Sequence, residues 1–410
     1  MTAEALPIRR NTILLAATMA VFSAVVQLVA AVSSLTFVLV TGVEGLLGLG
    51  PAIFLTASAL TAVPAGRAMD RVGRKPVITL GFLLAAFGCA LTALATRIES
   101  TPAVIAGFAL MGAAGAIALL IRTAAGDMYP PERRARGISY VLFGSVFGAI
   151  LGPAVFSPLF AGKHLEADAL TVPWLAAGGM ALVALAIASA VRPDPKVIAE
   201  QLGAAASAAP PQPAAPLGEI IRRPGVIPAM IAALASFSVM VSVMNLTGYM
   251  VVDHHNHSQS DVFPIVGAHV LGMYALVLFV GGLIDRIGRT TSLALGLAVM
   301  GVSCIGLLWV ESVVGTAFLL FGLGLGWNLS FVAATAELAD RTAPSERGKL
   351  LGMNDLLAAL LGASLALLGG AALEGLGVAA LAIGATVLVT LPIVWLLGRR
   401  RRAVAQPELA

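Results

Sequence analysis

Very little of this chain can be charged. Asp, Glu, Lys and Arg together make up 11% of the 410 residues, against 59% hydrophobic residues. With a mean hydropathy of +0.96, a water-soluble globular domain is excluded, because such a surface requires roughly a quarter of its residues to be charged. Cysteine is almost absent too. Cys89 and Cys304 both lie in apolar runs, which excludes a disulfide framework and leaves no redox role to read. No GxxxxGK[ST] loop is present, so nothing points to ATP as a power source. The formal charge of +4 has its densest run at Arg399–Arg402, which suits a lipid-facing rim better than a nucleic-acid surface.

What is present is apolar length. The first run, Thr12–Val40, is too long for a signal-peptide core and lacks a small-residue cleavage site. At roughly 20 apolar residues per crossing, it is the first of twelve expected spans. The others fall near 46–66, 76–96, 102–126, 137–160, 171–191, 226–252, 262–284, 291–310, 313–336, 350–372 and 376–397. The chain thus reads as an all-α integral membrane protein whose partner is the lipid bilayer, with a monomer expected and no nucleic-acid partner. If both termini are cytoplasmic, inner segments hold 22 of the 25 basic residues and outer loops hold Arg97 and Lys163, while Arg122 lies within a span. That asymmetry fixes the orientation.

An Ala/Pro-rich segment at 193–225 is too polar and too proline-broken to cross a bilayer. It divides the chain into 1–192 and 226–410, six spans each. The halves also share repeats. GRAMDRVGRK at Gly66–Lys75 returns as GGLIDRIGRT at Gly281–Thr290, and PPER at Pro130–Arg133 returns as PSER at Pro344–Arg347. Each GxxxDRxGR copy follows the second span of its half. There glycine is expected to allow close helix approach, and Asp and Arg to pair across an inner gate. The copies resemble motif A of the major facilitator superfamily, over the whole chain. That resemblance implies two six-helix bundles related by pseudo-two-fold symmetry, rocking around a central site. It makes Gly66, Asp70, Arg71, Gly73, Arg74, Gly281, Asp285, Arg286, Gly288 and Arg289 gate residues. Gly144, Gly148, Gly152 and Pro153 form GxxxGxxxGP in the fifth span. This resembles a motif of drug/proton antiporters, and it is equally the generic spacing for helix packing in lipid. The fourth-span arginine of such antiporters is replaced by Gly107 or a neighbour.

Four of the five histidines lie in Asp253–Met273, DHHNHSQSDVFPIVGAHVLGM. His269 is embedded about seven residues into the eighth span, and ionisable groups inside spans are costly enough to be functional candidates. If the seventh and eighth spans form an antiparallel hairpin, Met244 matches His269 in depth and Met240 matches Met273. Each pair is spaced i,i+4 and shares a helical face. At about 1.5 Å per residue, the outer pair lies roughly 10 Å below the helix ends. Thioether and imidazole ligands suit copper, and methionine equally lines cavities for organic molecules. Asp253, His254, His255 and His257, with Asp261, mark an outer capture site or a solvated loop that titrates near neutrality. MxxxM followed by HxxxM resembles the copper importers of the CcoA type, a bacterial branch of the superfamily that also contains riboflavin transporters.

This resemblance implies a secondary carrier in the bacterial cytoplasmic membrane. It would import copper as substrate through Met240, Met244, His269 and Met273, with no prosthetic cofactor and no enzymatic activity. Uptake of riboflavin or another small organic metabolite is the first alternative, and proton-coupled drug efflux a further one. A sensor that binds metal without moving it is a different class of reading, against which the paired gate motifs argue.

Overall fold

The computed structural model describes residues 6–130, 133–162, 166–205, 215–342 and 344–405, without the side chains at 134, 135, 203–205, 285, 339, 344, 345, 347, 348 and 395–405. Lys163, the centre of the Pro130–Arg133 repeat, and the side chains of Asp285, Arg347 and Arg399–Arg402 lie outside the described residues.

With no water in a bilayer core, each segment must satisfy its own peptide groups, and the helix does this within one chain segment. The described residues accordingly form helices and no strand. In chain order they are α1 (Ile8–Thr41), α2 (Leu49–Val72), α3 (Arg74–Ile98), α4 (Thr101–Leu119), α5 (Ile121–Asp127), α6 (Arg134–Phe160), α7 (Thr171–Ser189), α8 (Pro195–Ala205), α9 (Leu217–Arg222), α10 (Val226–Tyr249), α11 (Gln259–Tyr274), α12 (Val277–Ile287), α13 (Arg289–Gly306), α14 (Val313–Asp340), α15 (Pro344–Leu376) and α16 (Val378–Ala405). Several buried hydroxyls and one amide turn back on their own helices. Thr18 donates to Leu14 O, Thr36 to Val32 O, Asn245 to Val241 O and Thr247 to Val243 O, so these polar groups do not need a partner helix.

Among the described residues, ten helical segments are long and apolar enough to cross a membrane. An eleventh is the bent pair α11–α12, which turns by 43° between Tyr274 and Val277. The twelfth expected span is helical as α16, but its described apolar part, Val378–Val394, is shorter than a full crossing. The 193–225 segment is more structured than its composition predicts, since it carries α8 and α9 and buries Ile198 and Ile220.

Helices α1 to α7 pack chiefly on one another, as do α10 to α16, and the two sets meet along α6–α11, α2–α15 and α1–α10. Backbone contact at small residues makes these seams. A Cβ on Gly248 would collide with Ala31 O, one on Gly48 with Ala366 O, and one on Gly267 would come 2.8 Å from Ala149 O. These contacts lie toward the end that carries the histidines, where one continuous apolar core holds Leu28, Phe37 and Phe156 from the first set and Met244, Phe263 and Leu246 from the second. At the opposite, basic end the core divides in two. Leu15, Met69, Phe82 and Ile198 belong to one cluster, and Ile220, Val226, Leu338 and Leu350 to another. The sets are joined at the histidine end and parted at the basic end.

This parting corrects one expectation. Gly66 and Gly281 do not mediate close helix approach here, because among the described residues nothing lies within 4 Å of a Cβ built on either. Gly144 and Gly272 do, against Ala16 O and Phe321 O. Gly144→Ala and Gly272→Ala are therefore expected to lower stability by about 1–3 kcal/mol through overpacking. Gly66→Ala should leave the thermal unfolding midpoint of the detergent-extracted protein unchanged.

Candidate functional site

The gate motif of the first set is assembled around one guanidinium. Arg74 opens α3, and its Nη1 lies 2.6 Å from Asp70 Oδ1 at the end of α2. Its Nη2 and Nε lie 2.8 and 2.9 Å from Asp127 Oδ2 at the end of α5. In the second set Arg289 Nε meets Asp340 Oδ2 at 2.5 Å, with Arg289 opening α13 and Asp340 closing α14. Both turns depend on a glycine in an extended conformation at positive φ, Gly73 at +107° and Gly288 at +83°, which side chains with a Cβ rarely adopt. Arg71 and Arg286 point into solvent-exposed surroundings.

The four glycine-motif residues of α6 serve α1 and α11. A Cβ on Gly144 or Gly148 would strike the backbone of Ala16 or Ala20, and Gly152 lies against the amide of Gln27. Gln27 Nε2 donates to Gly148 O at 2.6 Å, while Pro153 packs against Gly267 of α11.

Met240, Met244, His269 and Met273 are all buried, at 3%, 8%, 0% and 7% exposure. They are not arranged by a packed hairpin, however. Between Tyr249 and Ser258 the chain makes a π-helical turn, Met250–His254, and α11 leaves it to lie against α14 and α6, while α10 lies against α1, α14 and α15. The two pairs share α14 as a neighbour, and their helices have little direct contact. His269 Nδ1 is 2.8 Å from Leu320 O. A carbonyl only accepts, so Nδ1 carries the proton and Nε2 holds the lone pair. That Nε2 is buried without a hydrogen-bond partner.

The mouth histidines lie close together, with the His255 and His257 rings edge-on at 6.4 Å, but each is turned to a different neighbour. His257 Nε2 lies 2.8 Å from Glu311 O, the His254 ring stands edge-on to Tyr249, and Asp261 closes a capping box with Ser258. Burial pushes His255 below the ordinary histidine value against the pull of Glu311, with His257 and His254 adding to the depression. Among the described residues, no cluster of three or more His, Cys, Asp or Glu is arranged to hold a metal ion.

What does converge lies deeper, where two spans break. The fourth breaks at Leu120 between α4 and α5, and the eighth between α11 and α12. Asn328 of α14 donates its Nδ2 to Met273 O beside the second break. Arg122, just past the first break, reaches Asp355 of α15 with an Nη2–Oδ2 separation of 3.5 Å, both side chains remaining partly exposed. Tyr274, at the second break, begins a row of aromatic rings. Tyr274 stands edge-on to Trp327 at 6.2 Å, Trp327 stacks on Phe331 at 4.9 Å and 18°, and Phe331 meets Phe237 of α10 at 6.5 Å. Trp327 Nε1, Asn328 Oδ1, Asn354 Oδ1 and His269 Nε2 are buried without partners. Unpaired buried polar atoms are few in native proteins and each needs a reason.

The aromatic shelf escapes a reading of motifs. Its single local signal is Trp327 and Phe331 at i,i+4 in a chain with 6% aromatic residues. Phe237, Tyr274 and Arg122 come from other helices.

The family model of the Major Facilitator Superfamily matches residues 11–328 and, overlapping them, 256–409. A Bacillus subtilis protein described as an uncharacterized transporter of this type, YdeG, is 30% identical over 371 residues, covering 87% of this chain and 85% of its own. The riboflavin transporter RfnT of Brucella anthropi is 30% identical over 364 residues, covering 86% of each. The inward-open structure of the xylose transporter XylE from E. coli superimposes with a TM-score of 0.73 at 13% identity, over 95% of each chain.

The gate geometry ranks two substitutions. The Asp70 side chain is 71% exposed, so its pair is worth at most about 1 kcal/mol. Asp127 is 19% exposed and takes a hydrogen bond from Nε and an ion-pair contact from Nη2. Asp127→Asn should therefore slow substrate uptake more than Asp70→Asn, measured as initial rates at matched membrane abundance.

Proposed function

The chain belongs to the major facilitator superfamily, and from that premise we propose that it is a secondary carrier for a small planar organic solute of the riboflavin kind. The observation that carries this is the shelf of Trp327, Phe331, Phe237 and Tyr274, which carries the unpartnered Trp327 Nε1 and has the unpartnered Asn328 Oδ1 on the next residue of α14. A flat heteroaromatic ring stacks on such rings, and its edge carries the carbonyl and N–H groups that unpaired donors and acceptors select for. The similarity to a riboflavin transporter supports the same class. In this reading the two sets of helices alternate around the shelf, and the parting at the basic end is one of the two access states.

Copper import is the second reading, favoured by His269. Its Nδ1 is held by Leu320 O and its Nε2 is left with a buried lone pair, the arrangement in which a second partner orients a metal-binding imidazole. Met273 lies one turn on. In that case copper is the cargo, passed along His269 and the thioethers Met273, Met244 and Met240, with Asp253, His254, His255 and His257 as its capture groups. The carrier then works as an importer in a bacterial inner membrane with both termini cytoplasmic.

Uptake of labelled riboflavin and of radioactive copper, in cells lacking and expressing the protein, separates the two. The shelf predicts that Trp327→Ala lowers riboflavin uptake roughly tenfold, corresponding to about 1–3 kcal/mol of lost stacking. Trp327→Phe should retain most of it. Met244→Leu and Met273→Leu nearly conserve volume, cost under about 1.5 kcal/mol, and should leave riboflavin uptake within about twofold. Copper uptake that is abolished by the Met→Leu variants and by His269→Ala, with riboflavin not transported, would reverse the assignment.

A further inference from the structure

The segment after the sixth span, Arg192-Pro-Asp-Pro-Lys196, grips the gate turn of the first set from both sides. Asp194 Oδ1 accepts from Arg74 N at 3.0 Å, and Asp194 Oδ2 from Lys75 N at 2.9 Å. These are two of the N–H groups that the start of α3 leaves without intrahelical acceptors. A carboxylate there is also favoured by the helix dipole. Lys196 does the converse for α2. Its Nζ donates to Asp70 O at 2.7 Å and to Arg71 O at 3.3 Å, carbonyls of the last turn. The lysine's own backbone N–H closes the clamp on Asp194 Oδ1 at 2.8 Å. Between these caps sits Gly73, where a Cβ would come 2.7 Å from Asp194 Oδ2.

Gly288 of the second set adopts nearly the same backbone conformation as Gly73, and among the described residues nothing lies within 4 Å of a Cβ built on it. The far end of the linker is fixed elsewhere on the second set. Arg223 pairs with Glu346 of α15 through contacts of 2.6 and 2.9 Å, and Arg341 Nη1 donates to Pro224 O at 3.0 Å. The start is fixed on the first set by more than the clamp. Asn11 Nδ2 donates to Pro193 O at 3.1 Å, and Ile198 of α8 is buried in that set's core.

We propose that Asp194 and Lys196 are positioning residues of the transport cycle. They hold the α2–α3 turn so that Arg74 spans Asp70 and Asp127, and by fixing that gate they bias how the two access states are populated. The inference does not depend on which solute is carried, so it is tested on conformation.

Cys89 and Cys304 are buried, which leaves introduced cysteines as the sites for spin labels. Arg136→Cys on α6 and Ile287→Cys on α12 place one label on each set at exposed basic-end positions. In the full-length protein in lipid nanodiscs, electron–electron double resonance should show a second population, displaced from the parental peak, on Asp194→Ala. Asp194→Asn keeps an acceptor for the α3 terminus and should stay close to the parental distribution. Lys196→Met, which releases only α2, should give a smaller displaced fraction and reads the same distances should Asp194→Ala fail to fold. Parental distances in both Asp194→Ala and Lys196→Met overturn the proposal. So does a lower unfolding midpoint with distances unchanged, which is the outcome for a cap that merely stabilises.

Discussion

No water solvates a peptide group inside the spans, and that constraint shapes every level of this molecule. It forces the chain into helices, turns Thr18, Thr36, Asn245 and Thr247 back onto carbonyls of their own helices, and leaves helix association largely to close packing at small residues. Gly248 on Ala31, Gly48 on Ala366 and Gly272 on Phe321 are the result. The same constraint makes the exceptions informative. Where polar atoms stay buried and unpaired, as at Trp327 and Asn328 beside the second break and at Gln27 in the α1–α6 seam, the protein bears a desolvation cost.

The charged groups follow the same logic with the opposite placement. Arg74, Asp70, Asp127, Arg289 and Asp340 lie at helix ends, where headgroups and water screen them and where helix termini add their own partial charges. Arg122 and Asp355 are the deeper pair, and they join the two helix sets directly. Both side chains are partly exposed, so the pair is a weak, screened link, one that the sets can break as they move.

The sequence made the helices, their approximate limits, the gate repeats and the α6 glycine motif legible, because each depends on residues close in the chain. Apolar run length locates a span, and GxxxDRxGR carries its own turn. The shelf was not legible, since Phe237, Tyr274 and Trp327 lie on three helices and no local spacing joins them. Depth-matching Met244 with His269 failed as a guide to packing for a related reason. Equal depth on consecutive spans does not make them neighbours, and the π-helical turn at Met250–His254 sends α11 to α14 and α6. The linker's composition hid its clamp as well. Alanine and proline dominate the average of 193–225, while the Asp194 and Lys196 contacts are a matter of two side chains.

The open space beside Gly66 and Gly281 makes the two repeats addressable one at a time. Among the described residues no atom lies within 4 Å of a Cβ built on either glycine. A cysteine at either point would therefore displace no neighbour, and a thiol-reactive dye attached there would report on one half of the molecule alone.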